Sequence, residues 1–146
     1  MGLETSTKFS EITEAKCLIF DFDGTLAETE EAHRDAFNSA FSEKKLKWHW
    51  NKFVYKKLLQ VAGGKERIKA YNEEFVSKSD QIRSEEIEEL YFQKTKFFLQ
   101  TVSRGHLQLR PGVRELLEKA KYNKKKIAIA TSTNMDNVVS FIKVTL

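Results

Sequence analysis

Two carboxylates stand two residues apart in the stretch Leu18-Ile19-Phe20-Asp21-Phe22-Asp23-Gly24-Thr25-Leu26. In an extended segment that spacing points Asp21 and Asp23 to the same side. Unpaired, two such groups repel, and one carboxyl is pushed toward its protonated form. A divalent cation removes the penalty, and so does a division into one ionised and one protonated partner. Gly24 lets the chain turn at once, and Thr25 can hydrogen-bond the turned backbone. The plainer alternative is a polar strand end with solvated acids.

These residues need elements to hold them. Leu18 to Phe20 reads as a short buried strand, spanning about Lys16 to Asp21, because nothing in the run wants water. Asp21 then sits at the carboxyl end of the strand, where open α/β sheets place their ligands. Ile127-Ala128-Ile129-Ala130 makes a second apolar run of the same kind and finishes in Thr131-Ser132-Thr133-Asn134. Two buried strands that end alike point to a parallel α/β core, and a sheet of only two such strands would be unusual.

Between the strands the pattern is helical. Ala32, Ala36, Phe37, Ala40 and Phe41 form one stripe over Glu30–Phe41, with Thr29 as cap and Glu30 and Glu31 at the positive end. Trp48, Trp50, Phe53, Tyr55, Leu58, Leu59 and Val61 read as the core of a small helical unit. Gly63 and Gly64 break the pattern, Lys65–Phe75 starts another helix, and Ser84–Val102 a third with Ile87, Leu90, Tyr91, Phe98 and Val102 on one side. Pro111 fits the first turn of a helix striped by Val113, Leu116, Leu117 and Ala120. A last helix carries Val138, Val139, Phe141 and Ile142. Residues 1–15 lack periodicity and read as a mobile leader.

The bulk numbers fit this organisation. With 146 residues, 40% of them hydrophobic and 11 of them Phe, the chain can build one domain, or one with an insertion. A net charge of +4 suits anionic partners, either phosphorylated small molecules or nucleic acid. Lys124-Lys125-Lys126 is the one tight cationic run, and it reads as a solvated loop. Cys17 is the sole cysteine, so no internal disulfide forms; it is expected to be a buried, inert thiol in a reducing compartment. No apolar stretch of transmembrane length is present, and a cytoplasmic location is expected.

Asp21-Phe22-Asp23-Gly24-Thr25-Leu26 resembles the first motif of the haloacid dehalogenase (HAD) superfamily of phosphotransferases. The residues that follow resemble the CbbY-type sugar-phosphate phosphatases, near β-phosphoglucomutase and phosphoglycolate phosphatase. The resemblance implies a HAD-like Rossmannoid parallel sheet, formed by residues 16–29 and 108–146 and interrupted by an α-helical cap over 30–107. It implies that Asp21 is the nucleophile of an aspartyl-phosphate intermediate and that Asp23 is the general acid, then the base. Magnesium would be held by an Asp21 oxygen and the backbone carbonyl of Asp23. Thr131 resembles the second motif, a phosphate-binding hydroxyl, with the Ser132 backbone N–H beside it. Glu28 would face sugar hydroxyls, and His33 would lie near the boundary of core and cap. Gly63, Gly64, Lys65 and Arg67 resemble the specificity loop of the cap, whose cations could hold a second phosphate.

The family continues with a lysine and with acidic residues that complete the magnesium site, and the sequence ends at Leu146 ahead of both. The resemblance therefore implies the amino-terminal portion of a HAD protein lacking its later strands. The activity it implies is a magnesium-dependent sugar-phosphate phosphatase, with xylulose-1,5-bisphosphate favoured as substrate. A phosphohexomutase is the sister reading. The third reading is a non-catalytic remnant, or one half of an enzyme whose core a second chain completes. Nucleic-acid and membrane partners are not expected.

Overall fold

The computed structural model describes residues 14–146. The chain runs β1 (Cys17–Phe20), α1 (Glu30–Glu43), α2 (Lys52–Leu58), α3 (Gly64–Glu74), α4 (Ser84–Ser103), α5 (Val113–Tyr122), β2 (Lys126–Ile129) and α6 (Met135–Thr145). The leader expected over residues 1–15 falls, apart from its last two residues, outside the described part. Two compact units divide the chain: the described residues through Glu28 with Gln108–Thr133, and Thr29–Leu107 with Asn134–Leu146.

In the first unit, β1 and β2 pair in parallel with Cys17 opposite Lys126 and Phe20 opposite Ile129. The sheet has these two strands, each one residue off its expected span at one or both ends. Contrary to expectation, the strands are not buried: Ile19 is 68% exposed and Ile127 42% exposed. An apolar run records that both faces can be covered; here α5 packs on β2, burying Val113 and Ala120, and the remaining faces meet solvent. Cys17 is likewise an exposed free thiol rather than a buried one, since alternate residues of an uncovered strand face water. The helix after β1–α4 starts at Val113, not at Pro111. Gly112 adopts the left-handed conformation (φ +82°) as its N-cap, and Pro111 occupies the preceding turn, closed by Val113 N–H to the Arg110 carbonyl at 3.1 Å.

The second unit is held by aromatic packing around α1 and α4. Phe37, Ala40 and Phe41 of α1 meet Ile87 and Leu90 of α4, with Trp50, Tyr55, Leu58 and Ile68 completing the core. Trp50 is fully buried, with the rings of Phe37 at 4.5 Å and Phe41 at 5.0 Å. Each fully buried Phe or Leu contributes about 1.5–3 kcal/mol by leaving water, which makes this cluster the main stabiliser of the unit. Two amides, half-buried Asn38 and buried Asn72, pin its loops: Asn38 exchanges two hydrogen bonds with the Trp50 backbone, and Asn72 does the same with Ile82. Phe53, expected in the core, is 68% exposed and is covered on one face by the Lys57 ammonium. α6 packs on α4 and buries Val138 and Phe141, while Val139 and Ile142 remain exposed.

Thr29 occupies the N-cap of α1, but its side chain makes no capping bond, and its buried hydroxyl has no partner. Asn51 and Asn134 do cap α2 and α6, accepting from the backbone N–H of Val54 and Asp136. Among the described residues, no helix is long and apolar enough to cross a membrane.

Candidate functional site

Parallel pairing sets the site. With Phe20 opposite Ile129 and the Ala130 N–H donating to the Phe20 carbonyl at 2.8 Å, both strands end on one sheet edge. Asp21 is the first residue past β1, and Thr131 is the second past β2. Asp21, Asp23, Thr131 and Ser132 are therefore brought to the same edge.

Local geometry orients each group. Asp21 is exposed, and its Oδ1 accepts the Phe22 N–H at 2.8 Å, which fixes the carboxylate and leaves Oδ2 for another ligand. Phe22 is fully buried, so it anchors the loop between the two acids. Gly24 (φ +71°) then reverses the chain, donating to the Ala27 carbonyl at 2.8 Å, while Leu26 N–H returns to Phe22 O at 3.0 Å. A side chain at that φ would be strained, which is why glycine stands there. Thr131 is half-buried, and its hydroxyl accepts the Thr133 N–H at 3.2 Å.

Arg110 was not singled out from the sequence, yet it organises this loop. Its Nε lies 2.8 Å from Glu28 Oε1, its Nη1 donates to the Gly24 carbonyl, and its backbone N–H donates to Leu26 O at 2.9 Å. The guanidinium thus answers the charge of Glu28. The signal that could have found it is an arginine at the return of the chain from the helical segment, next to the only proline.

Among the described residues, no group of three or more His, Cys, Asp or Glu side chains could hold a metal ion. Asp21 and the Asp23 carbonyl supply two hard oxygen donors. That donor type suits magnesium, which usually keeps several waters and takes phosphate oxygens for the rest.

The other sequence-predicted residues belong to the helical unit. His33 stacks on Phe98 at 3.8 Å, with its Nδ1 2.9 Å from Lys94 Nζ. Lys94 is only 7% exposed and also lies over the Phe37 ring at 4.8 Å. Sequence reasoning missed Lys94; the signal was a lysine on the apolar stripe of α4, midway between Leu90 and Phe98. Gly63 (φ +94°) precedes α3, and a Cβ on Gly64 would come within 2.7 Å of the Tyr91 ring. Lys65 pairs with Glu88 at 2.9 Å, and this hydrogen bond raises the pKa of the exposed ammonium. Arg67 donates from Nε to the carbonyls of Leu58 at 3.2 Å and Val61 at 2.9 Å, so its guanidinium stem ties off the end of α2.

The chain is similar to known proteins. The protein CbbY of Rhodobacter capsulatus is 43% identical over 132 residues, covering 90% of this chain and 57% of that protein. The crystal structure of CbbY from Rhodobacter sphaeroides in complex with phosphate superposes with a TM-score of 0.79 at 35% identity. A mutant of that protein in complex with xylulose-(1,5)bisphosphate gives 0.77 at 34%. Each alignment covers 89% of this chain and 56% of the crystallised one. The chain thus spans little more than half the length of these relatives. The haloacid dehalogenase-like hydrolase pattern matches residues 18–145, and with the paired acids and the strand-ending threonine on one sheet edge the chain belongs to that family.

Proposed function

We propose that this chain carries the nucleophile and phosphate-binding side of a phosphoryl-transfer site that works as a phosphatase on a phosphorylated sugar. The observation that carries the reading is the convergence of Asp21, Asp23 and Thr131 at one end of a parallel strand pair. A ketose bisphosphate of the xylulose-1,5-bisphosphate type is the favoured substrate, on the strength of the relative crystallised with that compound.

In this reading Asp21 attacks phosphorus through Oδ2, and the bond from phosphorus to the sugar oxygen breaks. Asp23 delivers a proton to the departing oxygen. It then takes a proton from the water that cleaves the aspartyl-phosphate, so the enzyme and inorganic phosphate are regenerated. The Thr131 hydroxyl and the Ser132 N–H hold the oxygens of the transferring group. Magnesium would be held by an Asp21 oxygen and the Asp23 carbonyl and would supply charge neutralisation to the transferring group. By the family resemblance Glu28 is the candidate for the sugar on the first unit, and His33, Gly64, Lys65 and Arg67 are the candidate substrate-binding residues of the helical unit, Lys65 and Arg67 being suited to a second phosphate. A single cysteine and no internal disulfide support a reducing, cytoplasmic setting.

The test is magnesium-dependent phosphate release by the 146-residue chain, offered sugar mono- and bisphosphates, with circular dichroism as the folding control. Turnover that disappears in Asp21→Asn supports the reading. A folded chain that releases no phosphate, or release that survives Asp21→Asn, sinks it for this polypeptide.

A further inference from the structure

Lys65 already carries an anion. Its Nζ lies 2.9 Å from Glu88 Oε1, an ion pair that joins the start of α3 to the early part of α4. Both side chains reach solvent, at 43% and 62% exposure, so an incoming molecule meets the pair directly. The hydrogen bond from Glu88 raises the pKa of the ammonium, with the charges of Glu88 and then Glu66 acting the same way. Lys65 is therefore a firm cation whose charge is answered from within.

The surroundings keep the pair in place. A Cβ on Gly64 would come 2.7 Å from the Tyr91 ring, so the start of α3 lies directly against α4. Glu88 and Tyr91 are three residues apart on α4 and share a face. Tyr91 thus seats the glycine, and Glu88 answers the residue that follows it. A second carboxylate stands on the other side: a Cβ on Gly63 would collide with Glu66 Oε2, so Glu66 folds back across the glycine pair. Arg67 Nε donates to the carbonyls of Leu58 and Val61, which leaves the Lys65 ammonium as the more movable cation of the loop.

We propose that Glu88 is a specificity-determining residue: it holds Lys65 as an internal counter-ion, which the second phosphate of a sugar bisphosphate must displace. The inference rests on the reading of Lys65 as a cation suited to that phosphate. Binding is then a competition between two anions for one ammonium. A ligand carboxylate brings the same charge as Glu88 and loses freedom on binding, so the exchange gains nothing. A phosphate brings close to two charges and three acceptor oxygens to the same N–H donors, so it wins. Glu88 thereby screens the loop against singly charged groups and admits the phosphoryl group.

The experiment is isothermal titration calorimetry on the 146-residue chain carrying Asp21→Asn, so that the ligand is not consumed. The ligands are xylulose-1,5-bisphosphate and 5-phosphoarabinonate, a five-carbon phosphate with a carboxylate at its other end. Salt is kept at roughly 50 mM so that surface charges are not fully screened. Glu88→Gln should tighten bisphosphate binding about three- to fivefold, the range of an exposed ion pair. It should tighten binding of the carboxylate ligand more, so that the preference for the bisphosphate narrows. Lys65→Gln should weaken bisphosphate binding, and adding Glu88→Gln to it should restore nothing. Glu89→Gln removes the same charge one residue away, from a carboxylate that pairs with Lys44, and should leave affinity within about 1.5-fold. Circular dichroism checks folding, and Glu88→Ala, at the same exposed position, carries the test should Glu88→Gln fail to fold. Bisphosphate binding that is indifferent to Glu88, or a gain that persists without Lys65, would overturn the inference and leave the site reading standing. Absence of bisphosphate binding in every variant would overturn both.

Discussion

His33 Nδ1 and Lys94 Nζ lie 2.9 Å apart in the interior of the helical unit, with the His33 ring stacked on Phe98. Two cations cannot hold that contact, so one nitrogen of the pair accepts. With Lys94 as ammonium, His33 is neutral, accepts at Nδ1 and carries its proton on Nε2. Buried charge is tolerated here because the ammonium also lies over the faces of Phe37 and Phe98. His33→Ala should therefore destabilise the unit by about 1–3 kcal/mol, the cost of removing an acceptor from a buried donor. Lys94→Met, similar in length and apolar, should be close to neutral or stabilising. Urea titrations of the two variants would separate these outcomes; equal losses would mean that the pair contributes only by packing.

Asp23 should matter in proportion to how badly the leaving oxygen needs a proton. Asp23→Asn is expected to slow release from an alkyl phosphate by about 100- to 10,000-fold. With p-nitrophenyl phosphate, whose leaving group departs as a stable anion, the loss should be much smaller. Comparable losses on both substrates would show that Asp23 acts on binding rather than on proton transfer.

The Asn38 amide is expected to be worth more than its surroundings suggest. Its carboxamide donates to Trp50 O at 3.0 Å and accepts Trp50 N–H at 2.8 Å, closing a miniature backbone pair against a fully buried indole. Asn38→Ala strands the Trp50 N–H and leaves the Trp50 carbonyl with Arg34 Nη1 at 3.3 Å, so it should cost about 1–3 kcal/mol. Asn38→Asp keeps the acceptor and loses the donor, so it should recover part of that loss. Thermal melts followed by tryptophan fluorescence would report both.

Acid should loosen the helical unit before base does. The Arg34 side-chain hydrogen bond holds the Glu31 carboxyl below its ordinary 4.5, and the Arg83 backbone N–H does the same for Glu86 at the start of α4. Groups whose pKa is lower folded than unfolded stabilise the fold above the unfolded value. That contribution is lost as pH falls from about 4.5 through the folded values. Both groups are exposed, so the effect is small and screened by salt. Denaturant midpoints at pH 6 and pH 3 would show the loss, and Glu86→Gln should reduce it.

The architecture was legible where chemistry and pattern agreed. Asp21 to Leu26 marked the strand end and the turn, and the apolar runs at residues 18–20 and 127–129 located both strands. Stripes such as Ala36-Phe37-Ala40-Phe41 placed α1, α3, α4 and α5 to within two residues, while α2 was legible only as part of a helical unit. What periodicity could not supply was the presence of a covering partner. Ile19, Phe53 and Cys17 have the right types for burial, yet each is exposed, Phe53 with only the Lys57 ammonium over one face. Long-range polar contacts were equally silent. Asn38 with Trp50, His33 with Lys94 and Glu28 with Arg110 join residues 12, 61 and 82 positions apart, and no local pattern encodes such pairs.

The bridge between Ala27 and Leu109, reinforced by Arg110, has a further consequence. It places the departure of the helical excursion and its return one strand spacing apart, about 5 Å. To the base, everything between is a single loop with a clamped neck. A replacement needs ends that meet at that neck and a face that covers Val138 and Phe141 of α6, which pack on α4. Within those limits the insert can vary over evolutionary time, while the Asp21 turn on the other side of the clamp stays as it is.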